Sequence, residues 1–267
     1  MYYSEKDHTF VVCAYGESIY LEECIKSVMN QTVKSKVIMT TSTVNSYIRS
    51  LAEKYGIILV VNKRREVGIV EDWNFAYESA ETKLVTICHQ DDIYGDEYVE
   101  WLLKKCNKGS DILIFFSNYF ELRNEKRVDK NQLLRVKRIL LCPLKIHVFS
   151  KMRWLRRRIL SIGSPICCPA VTFNKERIFN PIFTDEYKSV LDWDAWEKIS
   201  KMKGEFIYCD KILMGHRIHE ASLTSEVIKN HIRDSEELEM FQKFWPKKFA
   251  KFIWGIYRKS SESNCVE

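Results

Sequence analysis

Between Thr9 and His89 four short apolar runs alternate with three amphipathic segments, and this rhythm restricts the chain to few folds. The runs are Thr9 to Ala14, Lys36 to Thr40, Ile57 to Val61 and Leu84 to Cys88. They have the length and branched residues of buried strands. The segments between them are Leu21 to Val28, roughly Val44 to Lys54, and Ile69 to Ala80. In the first of these, Leu21, Cys24, Ile25 and Val28 repeat at helical spacing. Repeated strand, helix and strand predict an α/β fold with a parallel, doubly wound sheet and right-handed crossovers.

The fourth run stops at His89-Gln90-Asp91-Asp92. In open α/β sheets the carboxyl edge of the strands is where ligands bind. Two adjacent carboxylates repel each other unless a cation or a buried proton offsets the charge. The plainer reading is that Asp91 or Asp92 caps a helix starting near Asp96. Two other runs end in polar residues, Tyr15 to Glu17 and Thr40 to Ser42. Three such clusters on one edge predict a pocket for a polar ligand. The chain holds neither G-x-G-x-x-G nor G-x-x-x-x-G-K-[ST], which disfavours a dinucleotide fold and a P-loop.

With 267 residues, 46% of them hydrophobic, the chain suffices for one large domain or two small ones. Nine scattered cysteines without a C-x-x-C pair, and no leader at the N-terminus, predict reduced thiols in a cytosolic protein. No apolar run approaches the ~20 residues that span a bilayer, though the chain is able to lie against one. Asp111 to Ser117 is a fifth strand, and the charged Glu121 to Asp129 a loop or hairpin. Arg135 to Arg158 is basic and apolar at once. It is either a helix pair with solvated basic faces or a surface for phosphate or lipid headgroups.

Gly163 to Pro169 forms a rigid wall, followed by a strand from Ala170 to Phe173. A helix opens at Leu191 and runs to about Lys203, with Asp192 at its start, where capping is the plain role. Glu205 to Tyr208 is a short strand, and His216 to Thr224 a polar loop. Imidazoles flanking an arginine bind phosphate or metal, although isolated surface histidines are commonly inert. Val227 to Phe244 reads as a helix. Beyond it, Phe244 to Lys259 interleaves aromatics with lysines. Contact with an anionic membrane ranks above nucleic-acid binding for such a tail, and packing on the domain is the third reading.

Taken together, these residues resemble those of an inverting family-2 glycosyltransferase of the GT-A fold, of the bacterial polysaccharide type, over most of residues 8–225. The opening Val11-Val12-Cys13-Ala14-Tyr15-Gly16-Glu17 and the helix from Leu21 to Gln31 resemble the family's first strand, turn and helix. Asp72-Trp73-Asn74 resembles the helix before the metal motif, and His89-Gln90-Asp91-Asp92 stands where the family has D-x-D or D-x-D-D. Leu191-Asp192-Trp193-Asp194 stands where a Glu-Asp pair holds the catalytic base. His216-Arg217-Ile218-His219 through Ser222 resembles the R-x-H-x-x-S loop.

The resemblance implies a Rossmann-like, mostly parallel sheet with helices on both faces and a C-terminal helical extension. Its domain would cover residues 1–225, with a nucleotide-binding half over 1–117 and an acceptor-side half over 118–225. Residues 226–267 would form the basic, aromatic tail. It implies a hexosyl-type transfer from a UDP or dTDP sugar to a glycan or lipid-linked acceptor, in cell-envelope or capsular polysaccharide synthesis. Nucleic acid is not an implied partner. The implied location is the cytoplasm, peripheral on the inner face of the membrane. Asp192 is the implied base, with Asp194 second. Ala14, Tyr15, Glu17, Thr41, Ser42, Asn74, Gln90, Asp91 and Arg217 are the implied donor contacts. Asp91, with His89, Asp92 and His219, is the implied holder of Mn²⁺ or Mg²⁺.

Two departures stand out. Thr40 to Ser42 occupy the place of an acidic residue that reads the base, and His89 replaces the first carboxylate of the metal motif. Neutral imidazole suits Mn²⁺ better than Mg²⁺. Two other readings stay open, a sugar nucleotidyltransferase and a non-catalytic, membrane-associated relative of the fold. Nucleotidyltransferases carry a glycine-rich basic loop after the first strand, which Tyr15-Gly16-Glu17-Ser18 is not.

Overall fold

The structure, a computed structural model, describes residues 2–64, 68–219 and 232–262. The four expected strands are β1 (His8–Ala14), β2 (Lys36–Thr41), β3 (Ile58–Val61) and β4 (Leu84–His89). Between them lie α1 (Leu21–Met29), α2 (Ser46–Tyr55) and α3 (Ile69–Ser79). β1 pairs in parallel with β2 and with β4, and β2 with β3. Helix α2 starts two residues later than its apolar pattern, because Asn45 caps it by accepting the Ile48 N–H at 2.8 Å. It ends at Gly56, whose φ of 62° is a left-handed conformation that glycine adopts without strain.

The second half of the sheet departs more from its sequence pattern. Its elements are β5 (Ile93–Tyr94), α4 (Tyr98–Cys106), β6 (Ile112–Arg123), β7 (Lys126–Val128), α5 (Gln132–Leu141), α6 (His147–Ser150) and α7 (Arg153–Leu160). β8 (Val171–Asn174), α8 (Leu191–Ser200), β9 (Glu205–Ile218), α9 (Ile232–Gln242) and α10 (Lys247–Glu262) follow. The strand order is β3-β2-β1-β4-β8-β6-β9-β5, with β7 on the end of β6. β6 and β9 are parallel to each other, while β8 runs antiparallel to β4 and β6. Two antiparallel steps restore direction, so β6 and β9 point the same way as β1 and β4.

Two expectations need correction. The fifth strand runs on past Ser117 to Arg123, and of the loop or hairpin expected over Glu121 to Asp129 the structure has the hairpin, whose turn residues Asn124 and Glu125 both have positive φ. The strand expected to stop at Tyr208 continues to Ile218, so His216 and Arg217 lie on a strand and not in a loop. The break in its apolar pattern, Asp210-Lys211, is a bulge. Ser117 pairs with Cys209 and Asn118 with Ile212, and the Asn118 side-chain amide donates to the Asp210 carbonyl at 2.9 Å. Beyond the bulge, Gly215 pairs with Phe120 and admits its ring, which a Cβ would overlap.

Alternation along β1 separates two cores. Phe10, Val12 and Ala14 pack under α1, α2 and α4, whereas Val11 faces the side covered by α3, α7 and α8. Helices therefore cover both faces, as expected. Met240, Phe241 and Ala250 bring α9 and α10 into the second core. Among the described residues no helix is long and apolar enough to cross a membrane, and the eight described cysteines are free thiols.

His8 is fully buried, with Nδ1 2.9 Å from Ser35 Oγ and Nε2 2.8 Å from Thr86 Oγ1. Burial lowers its pKa from 6.5 to about 3. Below pH 6.5 the unfolded chain binds a proton that the native ring refuses, so stability falls as the pH drops. The loss attributable to His8 should reach about 3 kcal/mol near pH ~4. Urea unfolding over a pH series, with His8→Asn as the flatter control, measures it.

Candidate active site

Because β1, β2, β4, β6 and β9 point the same way, their carboxyl ends share one edge. The three polar clusters expected there are joined by hydrogen bonds. The Tyr15 N–H donates to Gln90 Oε1 at 2.8 Å, and the Gly16 N–H to Thr43 Oγ1 at 2.7 Å. Ala14 is buried and pairs with Thr41, whose hydroxyl accepts the Thr43 N–H at 3.1 Å. Tyr15 and Glu17 are exposed on the rim. Ser42 donates to Asp72 Oδ2 at 2.6 Å, and the Asn62 amide donates to Asp72 Oδ1 at 3.0 Å. A carboxylate thus stands at the ends of β2 and β3 after all, supplied by the first turn of α3. The pattern that reveals it is spatial, since Asp72 is thirty residues from Ser42 in sequence. Asn74 faces away from this rim. It is buried, donates to the Phe183 carbonyl at 2.8 Å and accepts the N–H groups of Ile182 and Phe183.

The acidic doublet closes β4. Asp92 has no exposed surface, and its Oδ1 accepts the Arg217 N–H at 2.9 Å and faces His216 Nδ1 at 3.1 Å. Burial acts to lower the His216 pKa, but the Asp92 charge outweighs it and raises it. Asp91 Oδ2 lies 2.9 Å from His219 Nε2. Arg217 is buried, donates from Nε to the Asp91 carbonyl at 2.9 Å, and pairs with Glu23 and Glu125. Its guanidinium therefore ties α1, the β6–β7 hairpin and the acidic doublet together. His89 stacks on Trp73 with ring centroids 4.6 Å apart, and burial lowers its pKa to about 4, keeping it neutral. Residues 220–231, which hold the rest of the expected loop including Ser222, lie outside the described residues.

Asp192 lies at the start of α8, on the same edge. It is the second helical residue and not the cap, which is Val190. Its Oδ1 accepts the Trp193 N–H at 2.7 Å, and Ser164 Oγ lies 3.5 Å from its Oδ2. Burial pushes its pKa up against the pull of that N–H and of Lys137 and Arg233. Burial also pushes the Cys167 thiol well up, and both Asp92 and Asp192 add to that effect. Cys167 therefore lies within electrostatic reach of both acidic centres. Lys137, whose Nζ donates to the Tyr119 hydroxyl at 2.9 Å, acts electrostatically on both Asp192 and His216. The sequence pattern did not single it out, because a lysine among many basic residues carries no local signal.

Asp194 differs from Asp192. It is buried and ion-paired with Lys198 at 2.5 Å and Lys243 at 2.7 Å. Burial acts to raise its pKa, but the two lysines outweigh it and hold it below the usual range. It locks α8 to α9.

Among the described residues no three His, Cys, Asp or Glu side chains form a ready metal cage. Two buried atoms here nevertheless have no hydrogen-bond partner, His89 Nε2 and Asp92 Oδ2. His89 Nδ1 is 3.7 Å from that same Asp92 oxygen. Adjacent carboxylates with one orphaned oxygen fit a hard divalent ion whose remaining ligands come from a bound anion.

Comparison with known proteins follows the same lines. A profile of glycosyl transferase family 2 matches residues 9–164, more than half of the chain. No curated protein sequence matches significantly. Among solved structures, S. aureus TarS 1-349 superposes with a TM-score of 0.62 at 14% identity, covering 93% of this chain and 69% of that one. Its complex with UDP-GlcNAc superposes at 0.61 with 16% identity, covering 93% and 70%. The mannosyltransferase PcManGT from Pyrobaculum calidifontis, in complex with GDP-Man and Mn²⁺, superposes at 0.58 with 14% identity, covering 94% and 70%.

Proposed function

The chain belongs to glycosyl transferase family 2, and from that premise we propose that it is an inverting, metal-dependent transferase. In this reading it moves a hexosyl group from a UDP or dTDP sugar to a hydroxyl of a glycan or lipid-linked acceptor during cell-envelope or capsular polysaccharide synthesis. It works in the cytoplasm, against the inner face of the membrane. The observation that carries the proposal is the pairing of an acidic doublet just after β4 with a separate aspartate on α8, whose carboxyl burial makes more basic.

The nucleotide lies over the carboxyl ends of β1 and β2, where the backbone at Ala14 and Tyr15, with Thr41 and Ser42, lines its place. Asp72, held by Ser42 and Asn62, accepts the imide N–H of the base. Gln90 supports the rim at Tyr15. Asp91 and Asp92, with neutral His89 beside them, would hold Mn²⁺ or Mg²⁺. When bound, the ion neutralises charge that develops on the leaving diphosphate. Lys137 contributes a fixed positive charge to the same cleft. Arg217 and His219 position the doublet. Asp192 takes the proton from the acceptor hydroxyl while the acceptor oxygen bonds to the anomeric carbon. The bond from that carbon to the diphosphate breaks with its electron pair leaving on the nucleotide, and attack from the opposite face inverts the centre. Asp194 keeps α8 in place.

A panel of UDP, dTDP and GDP sugars, assayed for hydrolysis with Mn²⁺ and with EDTA, tests this reading. Metal-stimulated release of UDP or dTDP is the expected result. Release of pyrophosphate from a nucleoside triphosphate and a sugar phosphate would instead identify a nucleotidyltransferase. Absence of any nucleotide binding would identify a non-catalytic relative.

A further inference from the structure

Charge is distributed unevenly along the chain. Residues 131–174 and 240–260 hold fifteen of its 42 lysines and arginines and none of its 36 aspartates and glutamates. The remainder is therefore net negative despite the overall +6. In the fold these two segments meet. Arg158 on α7 lies 4.9 Å from the ring of Trp245, and the Trp245 indole donates to the Ser161 carbonyl at 2.8 Å. Trp245 stands just before α10, and Trp154 is one helical turn from Arg158.

Helix α10 has two apolar faces. Ala250, Ile253, Trp254 and Tyr257 pack into the core. Phe249, Phe252 and Ile256 recur at helical spacing on the outside and are 64%, 68% and 59% exposed. Trp154, on neighbouring α7, is 68% exposed. Lys248 and Lys251 are exposed one turn apart on α10. A helix that already has a buried face needs no second apolar stripe for folding, and exposed aromatics in a group mark an interaction site.

We propose that the outer face of α10, continued by Trp154, docks on an anionic lipid bilayer. Rings reach the acyl boundary while lysines meet the headgroups, as in a helix lying in the interface plane. The absence of any carboxylate from both segments selects an anionic surface and removes the repulsion that would oppose it. The inner face of the same helix touches the catalytic side. The Tyr257 ring is 6.1 Å from that of Trp193, the residue after Asp192, and it packs against Gly163, the residue before Ser164. Docking would thus hold the Asp192 end of the cleft one helix diameter, ~10 Å, from the bilayer, near an acceptor hydroxyl carried on a lipid. The docking surface deepens the peripheral placement proposed above, whereas the donor chemistry stands or fails without it.

The test is flotation of the full chain with vesicles of phosphatidylglycerol and phosphatidylcholine, beside donor hydrolysis in solution. The protein should float with anionic vesicles at about 0.1 M salt and not with neutral ones. Phe249→Ser with Phe252→Ser, and separately Lys248→Glu with Lys251→Glu, should weaken binding at least tenfold, by an order-of-magnitude estimate. Soluble donor hydrolysis should be unchanged in both variants, which separates lost docking from lost folding. Equal flotation of wild type and variants, or no flotation of the wild type, would overturn the proposal. So would a wild-type dimer in solution that the phenylalanine variant converts to monomer, since the face would then belong to a second copy.

Discussion

Asp192→Asn is expected to lower sugar transfer by about 10²- to 10⁴-fold, the range a positioned general base supplies. The amide keeps the size of the side chain, and its oxygen still accepts the Trp193 N–H. Folding and donor affinity should therefore stay near wild type, as thermal melting and calorimetry with nucleoside diphosphate would report. The pH profile carries the same signature. Burial raises the Asp192 pKa above its ordinary 3.8. The base works only when deprotonated, so the wild-type rate should rise with pH through that raised value and then level. The acidic limb should vanish in the variant. Asp194→Asn makes the contrast, because it breaks ion pairs to Lys198 and Lys243 and should reduce stability more than chemistry. Transfer at the wild-type rate in Asp192→Asn would remove this residue from the mechanism.

Asp91→Asn is expected to abolish the metal dependence of donor binding, raising the donor Kd by about 10- to 100-fold. EDTA should raise the wild-type Kd to the same level and leave the variant unmoved. Its neighbour, whose orphaned Oδ2 faces the same place, should lose stability as well as metal dependence. Asp92 is fully buried, and its Oδ1 serves the Arg217 N–H and His216. Asp92→Ala leaves those donors unmatched inside the protein, at a cost of about 1–3 kcal/mol for each buried polar group stranded. Urea unfolding should register that loss with no nucleotide present. If Asp92→Ala left stability intact, the framework role of its Oδ1, beside the ion-facing role of its Oδ2, would be wrong.

The two carboxylates look identical in the sequence, and only the return of β9 along the same edge distinguishes them. The first four strands were legible because each run buries its residues against helices next to it in the chain. Period-two and helical spacing then record the environment locally, as in Phe10, Val12 and Ala14 on β1 and Leu21, Cys24 and Ile25 on α1. β9 looks shorter in the sequence than it is, because Asp210 and Lys211 interrupt its apolar pattern. Its continuity depends on hydrogen bonds to β6, ninety residues away, which no local pattern encodes. The same holds for Asp72, whose place beside Ser42 and Asn62 follows from the packing of α3 over β2 and β3.

The sequence alone determined the doubly wound architecture, the edge on which polar residues collect and the family signature, because these follow from short-range periodicity and from residue types at strand ends. Tertiary structure alone decided which groups meet there. It set Arg217 in a web of carboxylates, locked Asp194 between two lysines and left Asp192 partly buried with a raised pKa. Ionisation depends on burial and on charges that arrive from distant parts of the chain, and those are properties of the assembled fold.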